Sequence, residues 1–231
     1  MKTVGIVGGI GPESTIQYYR LMVAEYLDRK GDGSYPSILI NSIDMKRMLD
    51  LIASDKLIAV TDYLVEETEK LARAGAAFGL LASNTPHIVF NDIQVRASIP
   101  MISIVEATCT EARGLGLKRV GLFGTAFTMQ GRFYSEVFSR EGIGVVVPEA
   151  EEQGYVHKKY MSELVHGVFL PETRDRMLDI ADRLRERDGI EGLVLGGTEL
   201  PLLLSDVAGR TFPFLDTTKI HAECAVAHML S

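Results

Sequence analysis

The chain of 231 residues contains no tryptophan, only two cysteines and no long run of charge of one sign. Cys109 and Cys224 are too few for a disulfide framework and lack metal-ligand spacing, so we expect them to be packing residues. No stretch reaches the ~20 apolar residues that a membrane helix needs. The apolar start is short and is interrupted by Lys2 and by glycines, which predicts no signal peptide and a cytoplasmic location.

The charge balance is mildly acidic. Lys and Arg number 24 and Asp and Glu 31, so the net charge is 24 − 31 = −7. Nucleic-acid surfaces need clustered Lys and Arg, and this balance disfavours them. It does not argue against small anions, because one local pocket on an acidic protein can hold a carboxylate. With 46% hydrophobic residues, the chain can bury a full core, as one large domain or as two small ones.

Short apolar runs alternate with amphipathic helical segments along the whole chain. Such runs are typical of strands that are buried on both faces of a parallel sheet. The predicted strands are residues 3–7, 37–41, 79–82, 101–104, 120–123, 145–147, 192–195 and 212–215. One helix begins near Pro12 and Glu13, and another closes the chain with Ile220, Cys224 and Ala227 on one face. The alternation predicts an α/β fold with parallel sheets and right-handed crossovers.

Two sequence patterns recur at nearly the same spacing. The run Val-Gly-Ile-Val-Gly-Gly at residues 4–9 is echoed by Val-Gly-Leu-Phe-Gly-Thr at residues 120–125, an offset of 120 − 4 = 116. The loop at Ser83 is echoed by the loop at Gly197, an offset of 197 − 83 = 114. The repeat indicates two duplicated lobes, although an apolar strand followed by glycine recurs in any α/β protein.

Each predicted lobe is a short parallel sheet flanked by helices. Residues 1–103 with 209–231 form the first lobe and residues 104–208 the second, because the tail comes after the second repeat is complete. Ligands of open parallel sheets bind at the carboxyl ends of the strands. We therefore expect the active site in a cleft between the two lobes.

Five short motifs together resemble the aspartate/glutamate racemases, and the match spans nearly the whole chain. They are Gly-Gly-Ile-Gly-Pro-Glu-Ser-Thr (8–15), Ser-Asn-Thr (83–85), Gly-Thr-Ala-Phe-Thr-Met (124–129), Gly-Thr-Glu (197–199), and Asp-Thr (216–217) followed by Ile-His-Ala (220–222). The resemblance implies an amino-acid racemase of two duplicated α/β lobes, with its active site between them. It also implies a homodimer that uses no cofactor.

The two thiols of that family are missing from this chain. In the family, one cysteine removes the α-proton of the amino acid and the other returns a proton on the opposite face. By the resemblance, Ser83 and Gly197 stand at the two cysteine positions. An alcohol is a far weaker acid than a thiol, and glycine carries no proton-transfer group. A positive φ at Gly197 would further strain any side chain placed there.

Two other residues are candidates for acid–base catalysis. His87 follows Ser83 by four residues, which suggests a Ser–His pair. No Gly-x-Ser-x-Gly turn surrounds Ser83, and a histidine at a helix start is the alternative. Glu199 lies next to the vacated second position, where it serves either as a base or as a cap of the following turn.

Loops at the strand ends supply candidates for binding a substrate carboxylate. The backbone N–H groups of Gly9 and Gly11 precede a helix, where a carboxylate is favoured. A dinucleotide fingerprint is disfavoured there because the third glycine is absent. The candidate hydroxyl donors to the α-carboxylate are Thr85, Thr125, Thr128 and Thr198. Helix capping or turn formation is the alternative for each of them.

Four further side chains complete the candidate site. Asn84 is a candidate for holding the α-amino group, with bracing of its loop as the alternative. His166, Lys46 and Arg47 are candidates for contacting a distal carboxylate, although solvation explains the lysine and the arginine equally well.

Three functions remain compatible with these residues. The first is a racemase or epimerase of an acidic amino acid, as the resemblance implies. The second is a lyase or another isomerase that acts on a small carboxylate with different residues. The third is a non-catalytic protein that binds a carboxylate or an amino acid. None of them is expected to involve a metal ion, a cofactor, a nucleic acid or a membrane.

Overall fold

The computed structural model describes residues 1–204 and 212–231. The chain divides into two compact units, which we call the first lobe (Met1–Ile104 with Thr218–Ser231) and the second lobe (Val105–Thr217). The strands are β1 Val4–Gly8, β2 Ile38–Ser42, β3 Phe78–Leu81, β4 Met101–Ile102, β5 Arg119–Gly124, β6 Gly144–Val146, β7 Gly192–Gly196 and β8 Phe214–Asp216.

Helices connect these strands throughout the described residues. The α-helices are α1 Pro12–Lys30, α2 Met45–Ala53, α3 Leu57–Arg73, α4 Phe90–Arg96, α5 Ile104–Gly114, α6 Ala126–Gln130, α7 Phe133–Arg140, α8 Ala150–Ser162, α9 Pro171–Asp188, α10 Leu200–Leu204 and α11 Thr217–Leu230. Two short 3-10 helices, Thr85–Val89 and Leu164–His166, follow β3 and α8. The alternation of strands and helices confirms the predicted α/β class.

The two sheets have the same topology. The strand order is β2-β1-β3-β4 in the first lobe and β6-β5-β7-β8 in the second, and every pairing is parallel. The central strands β1 and β7 are buried along their whole length, as expected for apolar strands covered on both faces. The equal order of the strands agrees with the duplication that the sequence repeat predicts.

The tail of the chain divides differently from the sequence prediction. The assignment of residues 209–217 to the first lobe is wrong for β8, which pairs with β7 of the second lobe through Leu193↔Phe214 and Leu195↔Asp216. The physical reason is that the outer edge of β7 carries backbone groups that need partners, and β8 supplies them. Part of this prediction, residues 205–211, lies outside the described residues.

The closing helix α11 returns to the first lobe, but with a different face inward. Its buried residues include Ala222, Ala225, Val226 and Met229, which join the core around β1 and α1. The predicted face of Ile220, Cys224 and Ala227 is wrong, since these side chains are half-buried or exposed. The predicted strand 101–104 is also too long, because its last residue already begins α5.

Candidate functional site

The loop that follows β3 is held in place by His87. The Nδ1 atom of His87 lies 3.0 Å from the backbone oxygen of Ser83, and the backbone N–H of Ile104 donates to Nε2 at 3.2 Å. Since a backbone N–H can only donate, Nε2 accepts and Nδ1 carries the proton that is donated to Ser83. The ring stacks on Phe90, with centroids 4.7 Å apart. Both nitrogens are thus used by the backbone.

A second buried histidine, His221, lies next to His87. Tyr18 donates its hydroxyl to Nδ1 of His221 at 2.7 Å, and Nε2 of His221 donates to the backbone oxygen of Ile102 at 3.0 Å. Burial lowers the pKa of His221 to about 4. Burial and then the charge of His221 lower the pKa of His87 to about 3. Both imidazoles are therefore neutral at pH 7, as the hydrogen bonds require.

The contacts of His87 argue against the candidate Ser–His pair of Ser83 and His87. His87 braces the backbone of the loop, and both of its ring nitrogens are already engaged there. The half-buried Ser83 follows the end of β3, after Ala82, whose backbone oxygen accepts the hydroxyl of Ser14 at 2.7 Å. Asn84 and Thr85 are buried in the same loop. The geometry of the first lobe therefore presents Ser83 on a fixed loop without giving it a histidine base.

The glycine loop after β1 needs glycine for steric reasons. Gly9 has φ 78°, and a Cβ there would lie 2.5 Å from the backbone oxygen of Ile43. Its N–H donates to the Oγ1 atom of Thr15 at 2.8 Å. Gly11, with φ 87°, precedes Pro12 at the start of α1. The amide of Gly9, a candidate for binding the carboxylate, is thus engaged by a side chain of α1.

The loop after β7 carries a buried carboxylate with two donors. Tyr160 of α8 donates its hydroxyl to the Oε2 atom of Glu199, and Thr198 donates to the same oxygen at 2.7 Å. Only 7% of Tyr160, 9% of Thr198 and 4% of Glu199 is exposed. Burial, and then the charge of Glu199, raise the pKa of Tyr160 well above its ordinary value. Tyr160 is therefore a hydrogen-bond donor at neutral pH.

Gly197 lies against the ring of Tyr160. A Cβ built on Gly197 would lie 2.9 Å from Cζ of the ring and 3.0 Å from its hydroxyl oxygen. Gly197 is not among the glycines with positive φ. The expectation that φ restricts this position is thus wrong, because the restriction comes from a neighbouring aromatic ring.

The loop after β5 uses its threonines to begin a helix. Thr125 is the N-cap of α6 and accepts the backbone N–H of Thr128 on Oγ1 at 3.3 Å, while the two hydroxyl oxygens lie 3.2 Å apart. The first N–H of α6, at Ala126, donates to Nδ1 of His157 at 3.2 Å. The capping role considered for Thr125 is present in the structure, and Thr128 is fully buried behind it.

The candidates for a distal carboxylate lie at the surface of their lobes. His166 is exposed and ends the second 3-10 helix. Lys46 forms an exposed ion pair with Asp50 at 2.6 Å. The guanidinium of Arg47 stacks over the ring of Tyr63, 4.1 Å from its centroid. Lys46 and Arg47 both lie in the first turn of α2, which follows the carboxyl end of β2.

Sequence reasoning missed the residues of α8 that meet the strand ends. His157 contacts the loop after β5, and Tyr160 contacts the loop after β7. Their spacing of three places both on one helix face. That spacing is common in helices and gives no signal of function by itself. The buried partners Tyr18 and His221 were likewise not among the predicted site residues.

Within residues 1–204 and 212–231, no group of three or more His, Cys, Asp or Glu side chains has a geometry suited to a metal ion. No helix in the same ranges is long and apolar enough to span a bilayer.

A family model and a full-length relative match nearly the whole chain. The sequence matches the Asp/Glu/hydantoin racemase family over residues 7–225. It is 29% identical to the broad specificity amino-acid racemase RacX of Bacillus subtilis, covering 99% of this chain and 98% of that protein.

Two crystal structures have the same fold over their full length. A candidate Asp/Glu racemase of Yersinia pestis is 30% identical, with a TM-score of 0.92 and complete coverage of both chains. An aspartate racemase homologue of Pyrococcus horikoshii is 33% identical, with a TM-score of 0.85 and complete coverage of both chains. The family match, the full-length relatives and the two four-stranded parallel sheets agree, and the chain belongs to the Asp/Glu/hydantoin racemase family.

Proposed function

We propose that this protein is an amino-acid racemase or epimerase that binds its substrate by the α-carboxylate through loops at the carboxyl ends of its strands. The family supports a small amino-acid substrate, and a relative named for broad specificity supports a range of side chains. The threonine hydroxyls at 85 and 125 and the amide of Asn84 are the proposed donors and acceptors for the amino acid, whereas the hydroxyl of Thr198 donates to Glu199. The protein works without a cofactor, as a homodimer in the cytoplasm.

Glu199 is the proposed base of the second lobe, and its geometry is the observation that carries the proposal. Oε2 accepts hydrogen bonds from Tyr160 and Thr198, whereas Oε1 makes no hydrogen bond to the described residues. The α-proton of the substrate moves to Oε1, and the electron pair of the C–H bond passes to the substrate carboxylate. Threonine donors at that carboxylate stabilise the developing charge.

The first lobe offers a much weaker proton-transfer group. Ser83 is the residue on the corresponding loop, and an alcohol is almost never ionised at pH 7. His87 cannot activate it while both ring nitrogens are bound to the backbone. We therefore propose that α-proton exchange through Glu199 is faster than inversion of the amino acid.

The same observation on Ser83 and His87 favours one competing function, a protein that binds an amino acid without reaction. A lyase that uses Glu199 as its base is the other alternative. These functions predict different fates for the substrate. A racemase exchanges the α-proton of the amino acid and inverts its configuration. A binding protein only gains thermal stability from the amino acid, and a lyase consumes it.

The deciding experiment measures hydrogen exchange in deuterium oxide by NMR over a panel of acidic, basic and neutral amino acids. Chiral chromatography of both enantiomers follows inversion in the same samples. We expect deuterium at Cα for at least one amino acid, with slower inversion. Glu199→Gln should abolish exchange, while Glu151→Gln, at an exposed position of α8, makes the same charge change and should leave it intact. Thermal stabilisation of the protein by an amino acid without α-proton exchange would refute the proposal that the protein is an enzyme.

A further inference from the structure

Position 197 has no side chain, and Tyr160 fills the space beside it. A Cβ on Gly197 would lie 2.9 Å from Cζ and 3.0 Å from the hydroxyl oxygen of Tyr160, and closer still to Cε2. Observed Cβ atoms essentially never come within 3.0 Å of such atoms. The ring belongs to the buried core of the second lobe, and Glu199 holds its hydroxyl. The ring therefore cannot simply swing aside for a side chain at 197.

We propose that Tyr160 takes the place of a side chain at position 197 and positions Glu199 as the proton acceptor of the second lobe. The inference rests on the proposed function, in which Glu199 is the base. It adds a residue from α8 that the loop motifs do not contain. Tyr160 is a positioning residue, since it acts on the substrate through the carboxylate.

The hydrogen bonds explain how the positioning works. The hydroxyls of Tyr160 and Thr198 both donate to Oε2, so rotation of the carboxylate is restricted and Oε1 is kept for the substrate. Tyr160 remains protonated because burial and the neighbouring charge oppose a phenolate. The phenol therefore supplies a donor and does not compete as a second base.

The steric part is tested without any substrate. Gly197→Ala should lower the Tm by about 3–10 °C, because overpacking a core is destabilising. The matched control is Gly154→Ala, in an exposed part of α8 with open space around its Cα, which should keep or raise the Tm. In a Tyr160→Leu background, which removes the ring atoms near 197, Gly197→Ala should cause a much smaller loss. A Gly197→Ala protein with the wild-type Tm overturns the inference that the ring of Tyr160 fills the space beside Gly197.

The positioning part is tested by NMR of ring-labelled tyrosine. The signal that disappears in Tyr160→Phe identifies Tyr160. Glu199→Gln should move this signal and lower the pKa of Tyr160, since the charge that opposes its ionisation is removed. Glu151→Gln should do neither. If the Tyr160 signal does not move in Glu199→Gln, the inferred contact between Tyr160 and Glu199 is overturned.

The kinetics of α-proton exchange then separate positioning from structure. Tyr160→Phe keeps the ring and should lower the kcat of exchange about tenfold with little change in KM, because the carboxylate loses a donor that fixes its orientation. Tyr155→Phe, on the same helix, should leave both constants in place. Exchange with an unchanged kcat in Tyr160→Phe overturns the positioning role. If the NMR contact is present and no amino acid exchanges, the proposed function fails and the pairing of Gly197 with Tyr160 stands.

Discussion

Mild acid should destabilise this protein through its two buried histidines. His87 and His221 are 3% and 0% exposed, and their rings lie 6.4 Å apart. Each is held neutral by a donor and an acceptor, with Tyr18 and three backbone groups as partners. Protonation of either ring breaks one of these bonds and places a charge in the core.

The magnitude follows from the pKa values. An unfolded histidine titrates near pH ~6.5, whereas the folded pKa is about 3 for His87 and about 4 for His221. As the pH falls below ~6.5, the unfolded state binds protons that the folded state does not, so the free energy of unfolding decreases. Each histidine contributes about 1.4 kcal/mol per pH unit in this window, or about 2 kcal/mol between pH ~7 and ~5. The pair together should cost about 4 kcal/mol.

Urea unfolding at several pH values between ~5 and ~7 measures this loss, because most carboxyl groups titrate below the window. His221→Asn should reduce the slope of unfolding free energy against pH by about half, whatever its effect on stability at pH 7. The control is His166→Asn, at an exposed position, which should keep the slope. Equal slopes in wild type and His221→Asn would refute the assignment of a neutral buried histidine.

Three further predictions concern the loops at the strand ends. Gly9→Ala should destabilise the first lobe by more than about 1 kcal/mol, since it adds a side chain at positive φ against backbone; chemical denaturation measures this, and an unchanged midpoint contradicts it. Thr125→Ala should lower the free energy of unfolding by about 1 kcal/mol because it removes the N-cap of α6. Thr125→Ser keeps a hydroxyl cap and should retain most of this stability, as measured by thermal unfolding. Ser83→Cys with Gly197→Cys should racemise aspartate or glutamate no faster than Ser83→Cys alone while Tyr160 is present, because the second thiol has no room. Chiral chromatography checks this, and faster turnover of the double variant would disprove the steric argument.

The sequence determined the repeated strand pattern, because that pattern depends on local chemistry. The eight strands within residues 1–204 and 212–231 could be recognised from short apolar runs, with ends shifted by a few residues. Strands buried on both faces, such as β1 and β7, must be apolar throughout. The spacing of the glycine and small-polar loops likewise predicted two lobes of equal topology. The helix start at Pro12 followed from residues that favour a first turn, whereas a cap was one of the roles left open for Thr125.

Only the tertiary structure decided which distant residues share a contact. A short apolar run does not reveal which sheet edge lacks a partner, and so β8 was assigned to the wrong lobe. Tyr160 is 37 residues from Gly197 (197 − 160 = 37), and nothing local to either shows that the ring occupies the space beside the glycine. The roles of His87 and Glu199 were also undecided, because a side chain becomes a brace or a base according to the partners that the fold brings to it. Local pattern fixes where strands and loops occur, and packing decides which atoms in them remain free to react.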